Sequence, residues 1–247
     1  MDSYYPNIFS FITLRKEKFG GFCFNPYLLK EIFLNQTEMR IVELCNGENT
    51  VGNITRILAQ EKQTPNFQAA TRVNAVLQRL NNYYVINWKD KKNNQLSQSN
   101  PNKQDLSTPV PLQNDTEFDF YTAPLSVIFE LTYRCNLACK HCLVNAGKAE
   151  HNELSFDEVI GILDQLKEMK VFTVNFGGGE PLLRPDFFEI MKYASDLNLG
   201  VIFSTNGYLV DELVLEKLSE IKTFSLQISV DGLEATRAIR DGKAGDE

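Results

Sequence analysis

The sequence predicts an α/β fold entered through a small α+β region. Three observations carry this. From residue 125 onward, apolar runs of strand length alternate with segments of helical periodicity. Each of those runs ends in a polar or glycine-rich loop. Before residue 88, short alternating segments give way to three helical stretches. Strand–helix alternation argues for parallel strands joined by right-handed crossovers, and sheets of that kind place their sites at the C-terminal ends of the strands.

Taken in order, Phe9, Phe11 and Thr13 alternate with other residues until Gly20-Gly21 breaks the run. Phe22 and Phe24 alternate again, Asn25-Pro26 turns the chain, and residues 28–34 supply a third apolar segment. This pattern predicts a small antiparallel sheet. Thr37 is placed to cap a first helix that carries Met39, Ile41, Val42, Leu44 and Cys45 and stops at Asn46-Gly47. Thr50 is placed to cap a second, with Ile54, Ile57 and Leu58 inward. Phe67, Ala70, Val73, Leu77 and Leu80 recur every three or four residues, which predicts the third. Residues 83–88 read as a last strand or a packed tail. Residues 8–88 are therefore expected to form one winged-helix-like domain.

Residues 89–122 are dominated by Lys, Asn, Gln, Ser, Asp and Pro. So little apolar surface does not offset the entropy of ordering the chain, and a flexible linker is expected there. In residues 123–247, residues 125–133 form strand one. Ser155 and Glu158 form a capping box ahead of a helix bearing Val159, Ile162, Leu163, Leu166 and Met169. Residues 171–176 form strand two. Asp186 caps the next helix, with Phe187, Ile190, Met191, Ala194 and Leu197 inward. Residues 199–203 form strand three, residues 211–220 a helix, and Phe224, Leu226, Ile228 and Val230 mark strand four.

The 247 residues carry a net charge of −7, which argues against a nucleic-acid partner. No stretch approaches the roughly 18 apolar residues of a membrane span. Five cysteines, three of them within eight positions, are not a disulfide framework. They suit a reducing cytoplasm, where thiols stay available as ligands.

Those three, Cys135-x-x-x-Cys139-x-x-Cys142, follow strand one directly. Thiolates are soft ligands for zinc, copper or iron–sulfur clusters. Three close thiols without a nearby fourth point to a cluster with one iron left open. Zinc stays open as an alternative, because His141 or His151 offers a fourth ligand. Cys23 and Cys45 sit among apolar neighbours and read as small buried hydrophobes.

Three further loops complete a set. Gly177-Gly178-Gly179-Glu180-Pro181 follows strand two, Ser204-Thr205-Asn206-Gly207 follows strand three, and Ser229-Val230-Asp231-Gly232 follows strand four. Taken singly, each is an ordinary turn signal. In this order, after the cysteine motif, residues 125–240 resemble a radical S-adenosylmethionine enzyme. The resemblance implies an incomplete (β/α) partial TIM-type barrel with four of six units. It implies that Cys135, Cys139 and Cys142 hold a [4Fe–4S] cluster whose fourth iron chelates S-adenosyl-L-methionine, with an external one-electron reductant. Reductive cleavage would then yield a 5′-deoxyadenosyl radical that abstracts a hydrogen atom.

By the same resemblance, Gly177, Gly178 and Gly179 let the backbone approach the methionyl amino group, Glu180 helps fix that end, and Pro181 pins the loop. Ser204, Asn206, Ser229 and Asp231 lie where the family contacts ribose or carboxylate, and the His141 backbone meets adenine. No catalytic side chain is singled out.

Residues 8–88 resemble the peptide-recognition domain best known from pyrroloquinoline quinone biosynthesis (PqqD-like), through the sheet, Leu34-Asn35-Gln36-Thr37, Leu44-Cys45-Asn46-Gly47-Glu48-Asn49-Thr50 and the last helix. This implies a precursor (leader) peptide as partner, added as a strand beside residues 28–34 and the helix face of Arg72, Val73 and Val76. For Val73 and Val76, plain core packing is the competing expectation. The expected function is that of a radical enzyme maturing a ribosomally made peptide. Strands five and six are not in the sequence. A truncated chain, one completed by another polypeptide, or a non-catalytic leader-binding protein are therefore the alternatives.

Overall fold

A computed structural model describes residues 4–90, 95–97, 120–148, 152–222 and 224–230. The chain divides into two compact units, residues 1–122 and 123–247. Most of the expected linker, and Asp231-Gly232, lie outside the described residues.

The first unit begins with β1 (Tyr4–Ile8). A meander of β2 (Thr13–Glu17), β3 (Gly20–Asn25) and β4 (Lys30–Asn35) follows, antiparallel throughout. The Gly20-Gly21 pair does not break a strand. It opens β3, and the turn is Lys18-Phe19. Both glycines have positive φ, +140° and +154°, and a Cβ on either would lie within 2.2 Å of a neighbouring carbonyl oxygen. Only glycine fits there.

Helices α1 (Gln36–Leu44), α2 (Val51–Lys62) and α3 (Asn66–Asn82) come next. The cap of α1 is Asn35, not Thr37. Asn35 Oδ1 accepts from the Glu38 N–H at 2.9 Å and Glu38 Oε2 accepts from the Asn35 N–H at 3.0 Å. This reciprocal box starts the helix one residue before Thr37. Thr50 does cap α2, through the Asn53 N–H at 3.1 Å.

The buried stripe of α3 is Ala69, Val73, Val76, Leu77 and Leu80, whereas Phe67 is 70% exposed in the first turn. The expected inward stripe thus begins one turn too early. Strand β5 (Ile86–Asp90) pairs antiparallel with β1 and with a short β6 (Gln95–Ser97), inside the stretch expected to be linker. The core of this unit gathers Cys23, Leu34, Ile41, Ile54, Leu80 and Trp88.

In the second unit, β7 (Ser126–Thr132), α4 (Phe156–Glu168), β8 (Thr173–Gly178), α5 (Phe187–Asp196), β9 (Gly200–Thr205), α6 (Glu212–Ser219) and β10 (Ser225–Ile228) alternate. The four strands pair in parallel in the order β7-β8-β9-β10. This is the arrangement of a partial (β/α) barrel. Phe129, Leu131, Val174, Phe176, Val201 and Phe203 are buried with the helices. The alternate residues point to the opposite face of the sheet, where Ile128 is 73% exposed.

The box of Ser155 and Glu158 starts α4 as expected. Asp186 makes no cap hydrogen bond. Its carboxylate takes Arg184 Nε at 2.7 Å and Nη2 at 3.1 Å, an ion-paired fork that outcompetes a single backbone N–H.

Candidate active site

Three loops meet at the C-terminal ends of β7, β8 and β9. The cysteine loop is closed at its neck by two backbone bonds, Cys135 N–H to Gly147 O at 2.9 Å and Gly147 N–H to Tyr133 O at 2.8 Å. Its base is held by Glu153, whose Oε1 accepts from the Thr132 hydroxyl at 2.9 Å and the Tyr133 N–H at 2.8 Å. All three thiols are half-buried. The Leu137 N–H points at Cys135 Sγ (3.4 Å) and the Ala146 N–H at Cys142 Sγ (3.2 Å).

Burial pushes the Cys135 thiol above its ordinary range. The Leu137 N–H pulls the other way, and Glu180 and the two neighbouring thiols add to the rise. Among the described residues, no three Cys, His, Asp or Glu side chains converge on one point as a single metal ion requires. Thiolates that each bind a different iron need no such convergence. The donor set is sulfur only, on one loop, with backbone N–H groups aimed at two of the sulfurs. It fits an iron–sulfur cluster.

The glycine loop is laced to the cysteine loop. Gly179 N–H bonds to Thr132 O at 2.7 Å and Glu180 N–H to Arg134 O at 2.8 Å. A Cβ on Gly178 (φ +115°) would sit 2.4 Å from Thr132 O, and one on Gly179 2.2 Å from Arg134 O. These two glycines are needed for loop-to-loop contact. A Cβ on Gly177 would meet nothing within 4 Å, so open space lies before that residue. Pro181 is buried and opens a short 3-10 turn.

Glu180 is fully buried. Its Oε1 accepts from Thr205 Oγ1 (2.8 Å) and the Leu182 N–H (3.3 Å), and its Oε2 from the Asn206 N–H (2.9 Å). Asn206 in turn reaches the cysteine loop, with Nδ2 at 2.8 Å from Asn136 Oδ1 and 3.9 Å from Cys135 Sγ.

The other expected residues are more dispersed. Ser204 Oγ donates to Gln227 Oε1 at 3.0 Å. Ser229 is exposed, and its N–H bonds to Thr205 O at 2.9 Å. His141 is exposed on the cysteine loop. Sequence reasoning missed Glu153, Asn136 and Thr205. Thr205 and Asn136 lie inside quoted motifs but carried no separate signal, and the 21-residue separation of Glu153 from Thr132 hides its role. A cavity of about 350 Å³ lies outside the cysteine loop, between Thr132, Glu153, Ser155 and Arg184.

Residues 129–246 match the family model of the radical SAM superfamily. Mycofactocin maturase MftC of Mycobacterium ulcerans is 46% identical over 140 residues, which cover 57% of this chain and 37% of that protein. That stretch is similar in sequence to peptide-modifying maturases. PqqA peptide cyclase of Bradyrhizobium diazoefficiens is a further relative, 38% identical over 122 residues that cover 47% of this chain and 31% of that one. The chain thus spans about a third of the length of these relatives.

Among solved structures, Streptococcus suis SuiB bound to S-adenosylmethionine superposes with a TM-score of 0.57 at 20% identity, covering 94% of this chain and 49% of SuiB. SuiB bound to its precursor peptide SuiA gives the same TM-score at 19% identity, covering 96% and 52%. At that identity the likeness is one of fold, and it extends beyond residues 129–246. No helix among the described residues is long and apolar enough to cross a membrane.

Proposed function

We propose that this chain is a radical S-adenosylmethionine enzyme that acts on a ribosomally made precursor peptide. The observation that carries the reading is the lacing of a three-thiol loop to a glycine loop whose first residue faces open space. Cys135, Cys139 and Cys142 would hold three irons of a [4Fe–4S] cluster, and Leu137 and Ala146 N–H groups would bond to the sulfurs. When bound, the cluster and S-adenosylmethionine supply reductive cleavage of a carbon–sulfur bond and abstraction of a hydrogen atom, with the electron coming from an external reductant.

The chain's own residues then bind and orient. Gly177 leaves the room in which the methionyl end of the cofactor would lie against the backbone. Ser204, Ser229 and Asp231 would supply hydrogen bonds to its polar groups, and the His141 backbone would meet adenine. The relatives named above are a maturase and a peptide cyclase, which supports a peptide as the substrate class.

In the first unit, β4 pairs with β3 on one side and has no strand partner on its other side among the described residues. A leader peptide would add there as a further strand. Arg79 Nη2 donates to Phe33 O on β4 at 3.4 Å and would border that strand. Val73 and Val76, fully or nearly fully buried, pack in the core, and of the three α3 residues expected to border the groove only Arg72 is exposed.

Anaerobic reconstitution with iron and sulfide tests the proposal. The expected result is iron–sulfur absorption, then 5′-deoxyadenosine once S-adenosylmethionine and a strong reductant are added. A chain that binds no cluster refutes it. A cluster without cleavage favours a leader-binding protein that does not catalyse.

A further inference from the structure

A carboxylate with no exposed surface needs strong hydrogen bonds to stay buried. Glu180 has three, and two of them tie the loop after β8 to the end of β9 through Thr205 Oγ1 and the Asn206 N–H. Asn206 is thereby held by its backbone. Its side chain is oriented as well. Asn206 Oδ1 accepts from the Tyr208 N–H at 3.0 Å, so the amide cannot be flipped, and Nδ2 must face the cysteine loop. There it meets Asn136 Oδ1 at 2.8 Å and Cys135 Sγ at 3.9 Å. A carboxamide carries two N–H groups, one for each of these acceptors. A buried carboxylate, a threonine and an asparagine thus connect the second and third loops to one particular sulfur of the first.

We propose that Glu180 is a positioning residue that aims the Asn206 carboxamide at the Cys135 thiolate and so gives that cluster ligand a side-chain hydrogen bond. The proposal rests on the reading of Cys135 as a cluster ligand. An N–H donor stabilises negative charge on sulfur, and reduction adds charge to the cluster, so the bond raises the reduction potential. Glu180→Gln acts through the same route. One oxygen becomes an NH2 group, which faces either the Asn206 N–H or the Leu182 N–H beside Thr205 Oγ1, so at least one of the three bonds is lost and the hold on Asn206 is loosened.

The test uses the full chain, reconstituted with iron and sulfide without S-adenosylmethionine, and a redox titration followed by absorbance and electron paramagnetic resonance. Asn206→Ala and Glu180→Gln are each expected to load the cluster and to move its midpoint potential more negative. Lys222→Ala, which breaks an exposed ion pair with Asp196, is expected to leave it in place. A second measurement needs no cluster. In the apo chain the Asn206 carboxamide protons should exchange slowly with solvent, and Glu180→Gln or Thr205→Val should speed that exchange. Variants that load and titrate at the wild-type potential overturn the inference alone, as does an Asn206 amide that exchanges at the rate of an exposed one. A wild-type chain that loads no cluster overturns the functional reading, and the inference with it.

Discussion

The five cysteines fall into two environments, and the contrast between the two units bears on what would make a thiol a ligand. In the first unit Cys23 and Cys45 are buried in the apolar core. Burial pushes Cys23 up to about 12, against the pull of Arg79, and raises Cys45 further still. The Cys45 thiol donates to Ile41 O at 3.2 Å, which keeps its proton in use. In the second unit the thiols are half-buried, and backbone N–H groups approach two of the sulfurs. Surrounding a sulfur with carbon favours the thiol, whereas an N–H donor pulls toward the thiolate, as the Leu137 N–H does at Cys135 against the burial that still raises it.

The largest expected effect separates the two sets outright. Cys135→Ala should abolish iron–sulfur absorption after anaerobic reconstitution, because each cysteine would hold its own iron. Cys23→Ala should load as much iron as wild type. Equal iron in the two variants would erase the distinction between the two sets of thiols. Thiol labelling of the apo chain sharpens the same contrast: three cysteines should react readily, and Cys23 and Cys45 only after denaturant is added. Peptide mapping of the labelled sites checks it.

A smaller effect follows from pH. A thiol that ionises near 9.0 when unfolded but only near 12 when folded, as Cys23 does, keeps its proton in the folded state after the unfolded chain has lost it. Its contribution to stability is therefore intact below pH 9 and is lost as pH rises toward 12. The slope is roughly 1.4 kcal/mol per pH unit for such a thiol. Trp88, the one tryptophan in the chain and almost fully buried in the first unit, reports unfolding there. Urea titrations followed by its fluorescence should show stability falling above pH 9, and falling less steeply in Cys23→Ala. An unchanged slope in that variant would mean that other groups carry the alkaline loss.

Legibility differed between the units for physical reasons. In the second, period and loop chemistry agree, since each strand run ends at its motif and Ser155 and Glu158 cap α4. The cysteine, glycine and Ser204–Gly207 loops could be read because their residue types are rare in that order. What could not be read is how the side chains are shared. Glu180 was expected to face a cofactor, yet all its described partners are protein donors from residues 182–206, a pairing that depends on the register of β8 and β9. In the first unit, local signals were outcompeted by neighbours. Asn35 took the cap that Thr37 was expected to make, because Glu38 stands three residues after it. Phe67 fitted the period of α3 and still faces solvent, because periodicity does not say where the core ends.

The smallest effect tests whether Cys45 is packing alone. Cys45→Ala removes one buried sulfur and its bond to Ile41 O, a change expected to cost about 1 kcal/mol from the lost contacts and the small cavity. Cys45→Ser keeps a donor for Ile41 O but exchanges an apolar atom for a hydroxyl in a pocket lined by carbon, and it should cost at least as much. The order of the two in urea titrations followed by Trp88 fluorescence decides the point. If serine is the better substitute, the hydrogen bond outweighs the apolar contact, and Cys45 is held by its proton more than by its surroundings. If alanine is better, burial dominates, which is the property that sets this thiol apart from Cys135.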